Sequence, residues 1–574
     1  KILYNDAVAM TGGQPVDGVI TVPAIANQVR SEGIQRIAVL SDEPEKYTDK
    51  SLFPAATSFH HRDELDTVQR ELRDTPGVTV LIYDQTCAAE KRRLRKKGAY
   101  PDPDRRMFIN QAVCEGCGDC SVQSNCLSIY PVDTELGRKR KIDQSSCNKD
   151  YSCVKGFCPS FVSVLGGRLR RSQADPAGDE LQSRVATLPM PPEVDLADNF
   201  NLLVAGIGGT GVVTVGALIT MAAHLEGKGA SVLDFTGFAQ KGGAVISHIR
   251  IGSSPATLNQ VRIADGCADA VVACDIVVGT DPRTVRVLAR DRTRVLVNHS
   301  EVPSGQFVRN RNADIRMRER EAAITAAVGA DRLHTVPANE LMERILGNTV
   351  YANVFLLGHA WQQGLVPVSL AALEQALNLN GVNVAENLQA LAWGRVAAVD
   401  ADYVGQVAGL VQVLNLPPSL QEIVEHRAGL LVQYQGESLA RDYRDFVAAV
   451  KAGEQAVKPG STALAEAVAR NLYKLMAYKD EYEVARLYTS GEFRKQLEAT
   501  FEGDYSLQFH LAPPIFSRGL DEQGRPPEEV RGYGPVKAES VVRYGEQRAE
   551  LLQRFHDPQN AVQIHATAGN TVGA

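Results

Sequence analysis

Apolar runs alternate with amphipathic stretches over the first part of the chain, residues 1–100. The runs at residues 2–4, 37–40 and 78–83 predict strands, and the stretches between them have helical periodicity. This alternation is typical of a doubly wound α/β unit. The polar segment NDAVAMTGGQ follows the first predicted strand, at the strand end where such folds bind ligands. Because Asn-Asp and Gly-Gly also form ordinary turns, the pattern leaves the segment open between a turn and a ligand loop.

A second apolar strand, residues 202–205, runs into the glycine-rich segment GIGGTG (206–211) and a helix that begins near Thr210. Glycines at such a point allow a tight turn and bring a helix amino terminus close to a phosphate. The next strand, ASVLD, ends in Asp234, roughly where the acid of a Rossmann fold contacts the adenine ribose. By motif alone, these features indicate a site for a nicotinamide or flavin dinucleotide.

The pattern changes again in the second half of the chain. Residues 168–194 are polar and rich in proline, which predicts a linker. From residue 417 onward, apolar residues recur at spacings of three and four, which predicts helices. No apolar run reaches the roughly 20 residues that a membrane-spanning helix needs. We therefore expect no membrane partner.

The length of 574 residues exceeds what one core accommodates, and about one domain per 150 residues suggests three or four domains. The net charge of -7 gives no indication of nucleic acid as a partner. We expect a cytoplasmic protein. The first residues, KILYND, have no initiator Met and resemble the middle of a strand, so we expect a fragment of a longer polypeptide.

Seven of the ten cysteines lie between residues 114 and 158. Cys114, Cys117 and Cys120 have the C-x2-C-x2-C spacing of bacterial ferredoxins. In such domains the fourth ligand comes from a distant Cys-Pro pair, which here is Cys158 and Pro159. These four thiols are therefore the predicted ligands of a [4Fe-4S] cluster.

A second half-motif reads Cys147-x2-Asp150-x2-Cys153, with Asp150 in the place of the middle cysteine. Cys126 completes this set across the pseudo-symmetry of the two half-motifs. Because a carboxylate is a harder ligand than a thiolate, the second site is open between three states. These are a [4Fe-4S] cluster with an oxygen ligand, a [3Fe-4S] cluster and no cluster.

Other uses of these thiols fit the sequence less well. Structural zinc would call for two C-x2-C pairs, and disulfides would call for an oxidising compartment. Cys87, Cys267 and Cys274 fit no ligand spacing, and we expect them to be buried thiols.

Two basic runs flank the cysteines, KRRLRKK (91–97) and RKRK (138–141). Runs of this kind are usually solvated faces, and the aromatic residues of a nucleic-acid site are missing. A more specific hypothesis is that they attract an acidic electron carrier by long-range steering.

The succession of NDAVAMTGGQ, CEGCGDCSVQSNC, GIGGTG with QKGG, and a helical tail resembles the carboxyl-terminal half of fused indolepyruvate ferredoxin oxidoreductases. The resemblance implies a multidomain α/β protein with a dicluster ferredoxin-like insert. Its expected parts are the end of a thiamine diphosphate-binding domain (1–104), an iron-sulfur domain (105–168), a Rossmann-like gamma domain (195–400) and a mostly helical domain (415–574).

In that family, thiamine diphosphate supports oxidative decarboxylation of a 2-oxo acid, coenzyme A accepts the acyl group, and ferredoxin receives the electrons. For this chain the resemblance implies an aryl pyruvate substrate and a homodimer. It makes Asn5 a side-chain ligand and Ala7 a backbone ligand of the Mg2+ on thiamine diphosphate, with Thr11 near the diphosphate.

The family's Gly-Asp-Gly signature and its activating glutamate would belong to a missing amino-terminal half. We therefore expect no turnover by these 574 residues alone. The glycine-rich turn of the family's gamma domain is not known to bind a nicotinamide, so GIGGTG resembles a Rossmann fingerprint at the level of the fold. A ferredoxin-fused flavin- or NAD(P)-dependent reductase is the alternative function.

Overall fold

A computed structural model describes residues 1–5, 7–9, 14–15, 17–18, 20–155, 158–170, 179–237, 243–300, 310, 314–410 and 419–510. Thr11, most of the QKGG segment and residues 511–574 lie outside these ranges. We divide the described residues into an amino-terminal unit (1–104), a cysteine-rich unit (105–170), a six-stranded unit (179–410) and a carboxyl-terminal unit (419–510). Among their helices, none is long and apolar enough to cross a bilayer.

The amino-terminal unit is built on a four-stranded parallel sheet in the order β1-β6-β4-β5. Its apolar runs are continuous because the central strand is buried on both faces. Ile37 and Val39 pack in one core, while Ala38 and Leu40 pack in another on the opposite face. The three predicted strands are confirmed. The strands are β1 (Ile2–Tyr4), β4 (Arg36–Ser41), β5 (Ser58–His61) and β6 (Thr79–Asp84), with a hairpin of β2 (Ala7–Ala9) and β3 (Gln14–Pro15) and helices α1 (Val22–Ser31), α2 (Leu65–Asp74) and α3 (Ala88–Lys96).

The cysteine-rich unit is held together by its first and last strands, β7 (Arg105–Ile109) and β10 (Phe161–Leu169), which pair in antiparallel fashion. A hairpin of β8 (Ile129–Thr134) and β9 (Gly137–Ile142) separates the two cysteine half-motifs. The short helix α4 (Asp119–Ser124) carries Cys120. Six of the seven thiols therefore pack against one small core, and Cys117 is exposed.

The six-stranded unit is a mixed sheet in the order β12-β13-β11-β14-β15-β16. Strands β11, β14, β15 and β16 are parallel, and β13 runs antiparallel to both of its neighbours. The strands are β11 (Phe200–Ile207), β12 (Gly229–Thr236), β13 (Ala244–Gly252), β14 (Ala270–Ala273), β15 (Arg294–Asn298) and β16 (Leu333–Val336). The helices are α5 (Asp179–Ala186), α6 (Val212–Leu225), α7 (Ile276–Gly279), α8 (Pro282–Val285), α9 (Met317–Val328), α10 (Ala338–Leu346), α11 (Ala352–Gln362), α12 (Leu370–Asn380), α13 (Val384–Val399) and α14 (Ala401–Val407).

Strand β13 separates Asp234 from the glycine-rich turn. In a Rossmann fold, the strand that carries the ribose-binding acid pairs directly with the strand before the turn. Here Asp234 and Val204 both pair with Ser247, from opposite sides of β13. Asp234 also accepts a hydrogen bond from the Ser247 hydroxyl. Asp234 therefore does not lie where a Rossmann fold has its ribose-binding acid, and the interpretation of Asp234 as a ribose ligand is wrong.

The predicted linker 168–194 is also partly wrong. Helix α5 begins at Asp179, and its Leu181 is buried in the main core of the six-stranded unit. The sequence gives little sign of this packing, because polar residues cover the other faces of the helix.

The carboxyl-terminal unit is helical up to Thr500, as predicted, but it ends in a strand. Strand β17 (Phe501–Phe509) pairs with β10 of the cysteine-rich unit, with Phe501 opposite Leu169 and Phe509 opposite Val162. The sequence did not predict this strand. The helices are α15 (Leu420–Tyr434), α16 (Glu437–Val457), α17 (Ala463–Met476), α18 (Glu481–Thr489) and α19 (Gly491–Thr500).

Candidate iron-sulfur centre

Thiols from both ends of the cysteine motif meet at one site, in which Cys114 is buried, Cys120 and Cys158 are half-buried and Cys117 is exposed. Burial raises the pKa of the Cys120 thiol well above its ordinary value, and the charges of Cys158, Cys114 and Cys117 raise it further. Burial also raises the pKa of Cys158 to about 12. Thiols affect one another in this way only when they lie close together. These four side chains are the ones that the spacing predicts as ligands of a [4Fe-4S] cluster, which they would bind as thiolates.

The remaining three thiols meet at a second site together with Asp150. Burial raises the pKa of Cys153, and the charges of Cys126, Cys147 and Asp150 add to the rise. Burial raises the pKa of Cys147 as well, and the charges of Cys126 and Asp150 contribute. The structure therefore brings together the same two sets of side chains that the spacing predicts.

The two ligand loops have matching backbone geometry. The Gly116 N–H donates to Cys114 Sγ at 3.3 Å, and the Lys149 N–H donates to Cys147 Sγ at 3.5 Å. Both donors have left-handed backbone, with φ of 68° at Gly116 and 50° at Lys149. A left-handed Lys is uncommon, and such strain is typical of functional loops. Each loop therefore directs one backbone donor at a ligand sulfur, an interaction that helps to set cluster potentials.

A site for a single metal ion has a different arrangement. Within the described ranges, no three His, Cys, Asp or Glu side chains are placed to hold one metal ion. A cubane cluster is wider than an ion, and its thiolates surround it from the outside. The ligands of a cluster are therefore farther apart than the ligands of a single metal ion.

Two cations lie buried behind the first set, where the sequence indicated a solvated basic face. Lys139 and Arg140 of β9 are 7% and 2% exposed. Lys139 Nζ donates to the Cys114 carbonyl oxygen at 2.7 Å, and the charge of Arg140 offsets a small part of the rise that burial causes in the pKa of Cys120. Burial, followed by the charge of Lys479, lowers the pKa of Lys139 to about 8. Within RKRK, these two residues are therefore buried inside the protein and cannot act as a steering surface.

The other basic run docks helix α3 against the second ligand loop. Arg92 donates to the Ser146 carbonyl oxygen, and Arg95 donates to that of Asn148 at 2.5 Å. Lys91 pairs with Asp42 at 3.1 Å. These side chains have partners within the protein, so the interpretation of this run as a solvated face is wrong for them.

A cavity of about 450 Å³ joins the amino-terminal unit to the second ligand loop. Asn5, which follows β1, and Asp150 both line it. Cys87 lines the same cavity and is half-buried, as is Cys267, so the prediction of a buried thiol holds only for Cys274. Ala7 begins β2, two positions after Asn5 along the chain.

The glycine-rich turn closes against the six-stranded unit itself. The Gly208 N–H donates to the Gly243 carbonyl oxygen at 2.7 Å, and Asn353 Nδ2 donates to the Thr210 carbonyl oxygen at 2.9 Å. A Cβ at Gly206 would lie 2.7 Å from Val212 Cγ2, so this position requires glycine. Beneath the turn, Asp275 is buried, and burial raises its pKa to about 6.

Comparisons with known proteins match two parts of the chain. Residues 201–397 match the model of the pyruvate ferredoxin/flavodoxin oxidoreductase family, and residues 420–526 match a family of unknown function, DUF6537. The chain is 26% identical over 207 residues to indolepyruvate oxidoreductase subunit IorB of Methanothermobacter thermautotrophicus, across 35% of this chain and 100% of that protein. The IorB subunit of Archaeoglobus fulgidus is 26% identical over 201 residues, across 35% of this chain and 95% of that protein.

Among solved structures, pyruvate oxidoreductase subunit PORC of Thermotoga maritima aligns with 34% of this chain and 95% of its own. Its identity is 21% and its TM-score 0.25, values that say nothing about function. The family match to residues 201–397 and the two IorB relatives give the stronger result. This region, residues 201–397, is therefore a domain of the 2-oxoacid:ferredoxin oxidoreductase family.

Proposed function

We propose that the chain is the electron-transfer part of a thiamine diphosphate-dependent 2-oxoacid:ferredoxin oxidoreductase. One observation gives this proposal its main support. Two sets of cluster-ligand side chains lie within one unit, and Asp150 of the second set borders the same cavity as Asn5. Electrons that arise at the edge of the amino-terminal sheet would therefore meet the second set first.

Each set has a distinct role in this proposal. Cys114, Cys117, Cys120 and Cys158 hold a [4Fe-4S] cluster, and the buried cations Lys139 and Arg140 offset part of its negative charge. The second set holds a cluster with Asp150 as its oxygen ligand. The side chains of this set are Cys126, Cys147, Cys153 and Asp150.

On the thiamine side, the chain contributes oxygen ligands. The Asn5 side chain and the Ala7 carbonyl oxygen would bind Mg2+, a hard cation that prefers oxygen donors. When bound, thiamine diphosphate would act as the electron sink for loss of carbon dioxide from a 2-oxo acid, whose oxidation releases two electrons. Thr11, outside the described residues, is assigned to the diphosphate by the family resemblance alone.

The substrate proposal rests on the relatives. Both curated relatives are named as indolepyruvate oxidoreductase subunits, which favours indolepyruvate or another aryl pyruvate for this chain. Coenzyme A as acyl acceptor, ferredoxin as electron acceptor and a homodimeric assembly follow from the resemblance of the motifs. We place the protein in the cytoplasm, where free thiols remain reduced.

Cofactor analysis of the anaerobically purified full-length protein tests the proposal. We expect thiamine diphosphate, iron and acid-labile sulfide, and no flavin. Bound FAD without thiamine diphosphate would support the flavin-dependent reductase instead. Absence of iron and sulfide from a folded protein would contradict the electron-transfer role.

A further inference from the structure

The carboxyl-terminal unit, which overlaps the family of unknown function, packs directly against the first ligand set. Its Tyr488 donates from the phenol to the carbonyl oxygen of Pro159, next to Cys158. Its strand β17 extends the sheet of the cysteine-rich unit through β10. This unit therefore forms one wall of the first cluster site.

Lys479 is the residue of this wall that brings charge to the site. Its Nζ lies 2.6 Å from Glu115 Oε1 and 3.4 Å from the carbonyl oxygens of Val113 and Cys114. Its side chain is only 16% exposed. Lys139 approaches the same Cys114 carbonyl oxygen at 2.7 Å. Two ammonium groups therefore converge on the carbonyl of one ligand residue.

The charges of these three side chains do not cancel. Lys139 and Lys479 carry two positive charges, and Glu115 carries one negative charge. Two like charges in a buried site are costly unless an anion compensates them. A cluster held by four thiolates carries net negative charge and supplies that compensation. The arrangement therefore fits an anionic cluster beside Cys114.

We propose that the carboxyl-terminal unit serves as an electrostatic cap on the first cluster and that Lys479 raises the reduction potential of this cluster. The inference rests on the proposed function, because it requires a [4Fe-4S] cluster on Cys114, Cys117, Cys120 and Cys158. Reduction adds negative charge, so a nearby ammonium stabilises the reduced form. Electrons that enter at the second set would then be drawn to the first. Lys479 acts through the ligand loop and is a positioning residue.

Potentiometric titration monitored by EPR, on the full-length protein with iron counted in each sample, tests this role. In Lys479→Met, we expect the reduced-to-oxidised ratio of the first cluster to fall about tenfold at fixed potential, a shift of about 59 mV for one electron. Lys479→Arg should restore most of the ratio. Lys495→Met is the matched control, because Lys495 is an exposed Lys on α19, with a side chain that is 73% exposed.

An unchanged first-cluster potential in Lys479→Met, with full iron content, would overturn the inference and leave the proposed function standing. Wild-type protein without the first cluster would instead refute the proposed function. If the Lys479→Met protein lost iron, the Glu115→Gln variant would test in its place whether charges beside Cys114 set the potential of the first cluster. Removal of this carboxylate should raise the potential, and an unchanged or lower potential would overturn the inference.

Discussion

The carboxylate of Asp150 accepts a hydrogen bond from the hydroxyl of Ser152 at 3.1 Å, beside the thiols of Cys147 and Cys153. In the matching loop, the same position is occupied by Cys117. Asp150 is therefore the one place where the two ligand sets differ in chemistry. Its carboxylate is held in its own loop by the Ser152 contact and must turn from it to ligate iron.

Asp150→Cys should make the second site resemble the first. We expect the variant to approach about eight irons per chain, four for each cubane, and the wild type to hold between about four and eight. Iron and sulfide analysis with EPR of the reduced protein measures the change. Asp133→Cys, on an exposed part of the β8–β9 hairpin, adds a thiol away from both sites and should leave the count unchanged. About four irons per chain in both wild type and Asp150→Cys would contradict the prediction that the second set binds a cluster.

The exchange of ligands between half-motifs can be tested with two single substitutions. Cys158→Ser should abolish the EPR signal of the first cluster, although Cys158 follows the second half-motif in sequence. Cys153→Ser should abolish the signal of the second cluster only. Cys267→Ser is the control, because this half-buried thiol belongs to neither set. Loss of the second signal in Cys158→Ser would show that the ligand sets are assigned incorrectly.

Gly116 should tolerate no side chain. A Cβ there would lie 2.1 Å from the Arg138 carbonyl oxygen, and the left-handed backbone adds about 1–2 kcal/mol for any L-residue. We expect Gly116→Ala to lose the first cluster and to unfold at lower temperature. Gly98→Ala controls for backbone strain alone, since Gly98 has φ of 70° and open space around it. Equal thermal midpoints for the two variants would show that the clash is absent.

The stability of the six-stranded unit should depend on Asp275. Burial raises the pKa of this carboxyl to about 6, and its Oδ2 has no hydrogen-bond partner among the described residues. The folded state therefore binds the proton more tightly than the unfolded state, and stability falls as the pH rises from about 4 to about 6. Two pKa units correspond to about 3 kcal/mol. We expect Asp275→Asn to be more stable than wild type at pH 7, by up to that amount, and equal to it at pH 4.

Tryptophan fluorescence during urea unfolding isolates this effect, because the two tryptophans, Trp361 and Trp393, both lie in the six-stranded unit. Asp281→Asn is the control. A hydrogen bond from Arg283 lowers the pKa of Asp281, so its loss should destabilise the unit at pH 7 and not at low pH. A difference in stability between wild type and Asp275→Asn that stays constant from pH 4 to pH 7 would contradict the role of Asp275.

Features encoded within a few residues could be predicted from the sequence. Strands β1, β4 and β6 follow from apolar runs, because strands buried on both faces need no polar alternation. Three ligands of each set follow from their spacing, because each loop folds around ligands that are near in sequence. The fourth ligand, Cys158 or Cys126, follows from the exchange of ligands between half-motifs in ferredoxins. The glycine-rich turn could be predicted from its motif. The strand beside it could not, because β13 lies between β11, which leads into the turn, and β12, which carries Asp234.

Contacts between distant segments depended on the tertiary structure alone. Lys479 lies 365 positions from Cys114, and nothing in the composition around Lys479 indicates a cluster. Strand β17 forms because β10 offers it an edge, and Lys139 is buried because the carboxyl-terminal unit covers β9. The sequence by itself determined which side chains could bind iron-sulfur clusters. Only the tertiary structure decided which charges surround them, because electrostatic interactions depend on distance in space and not on separation along the chain.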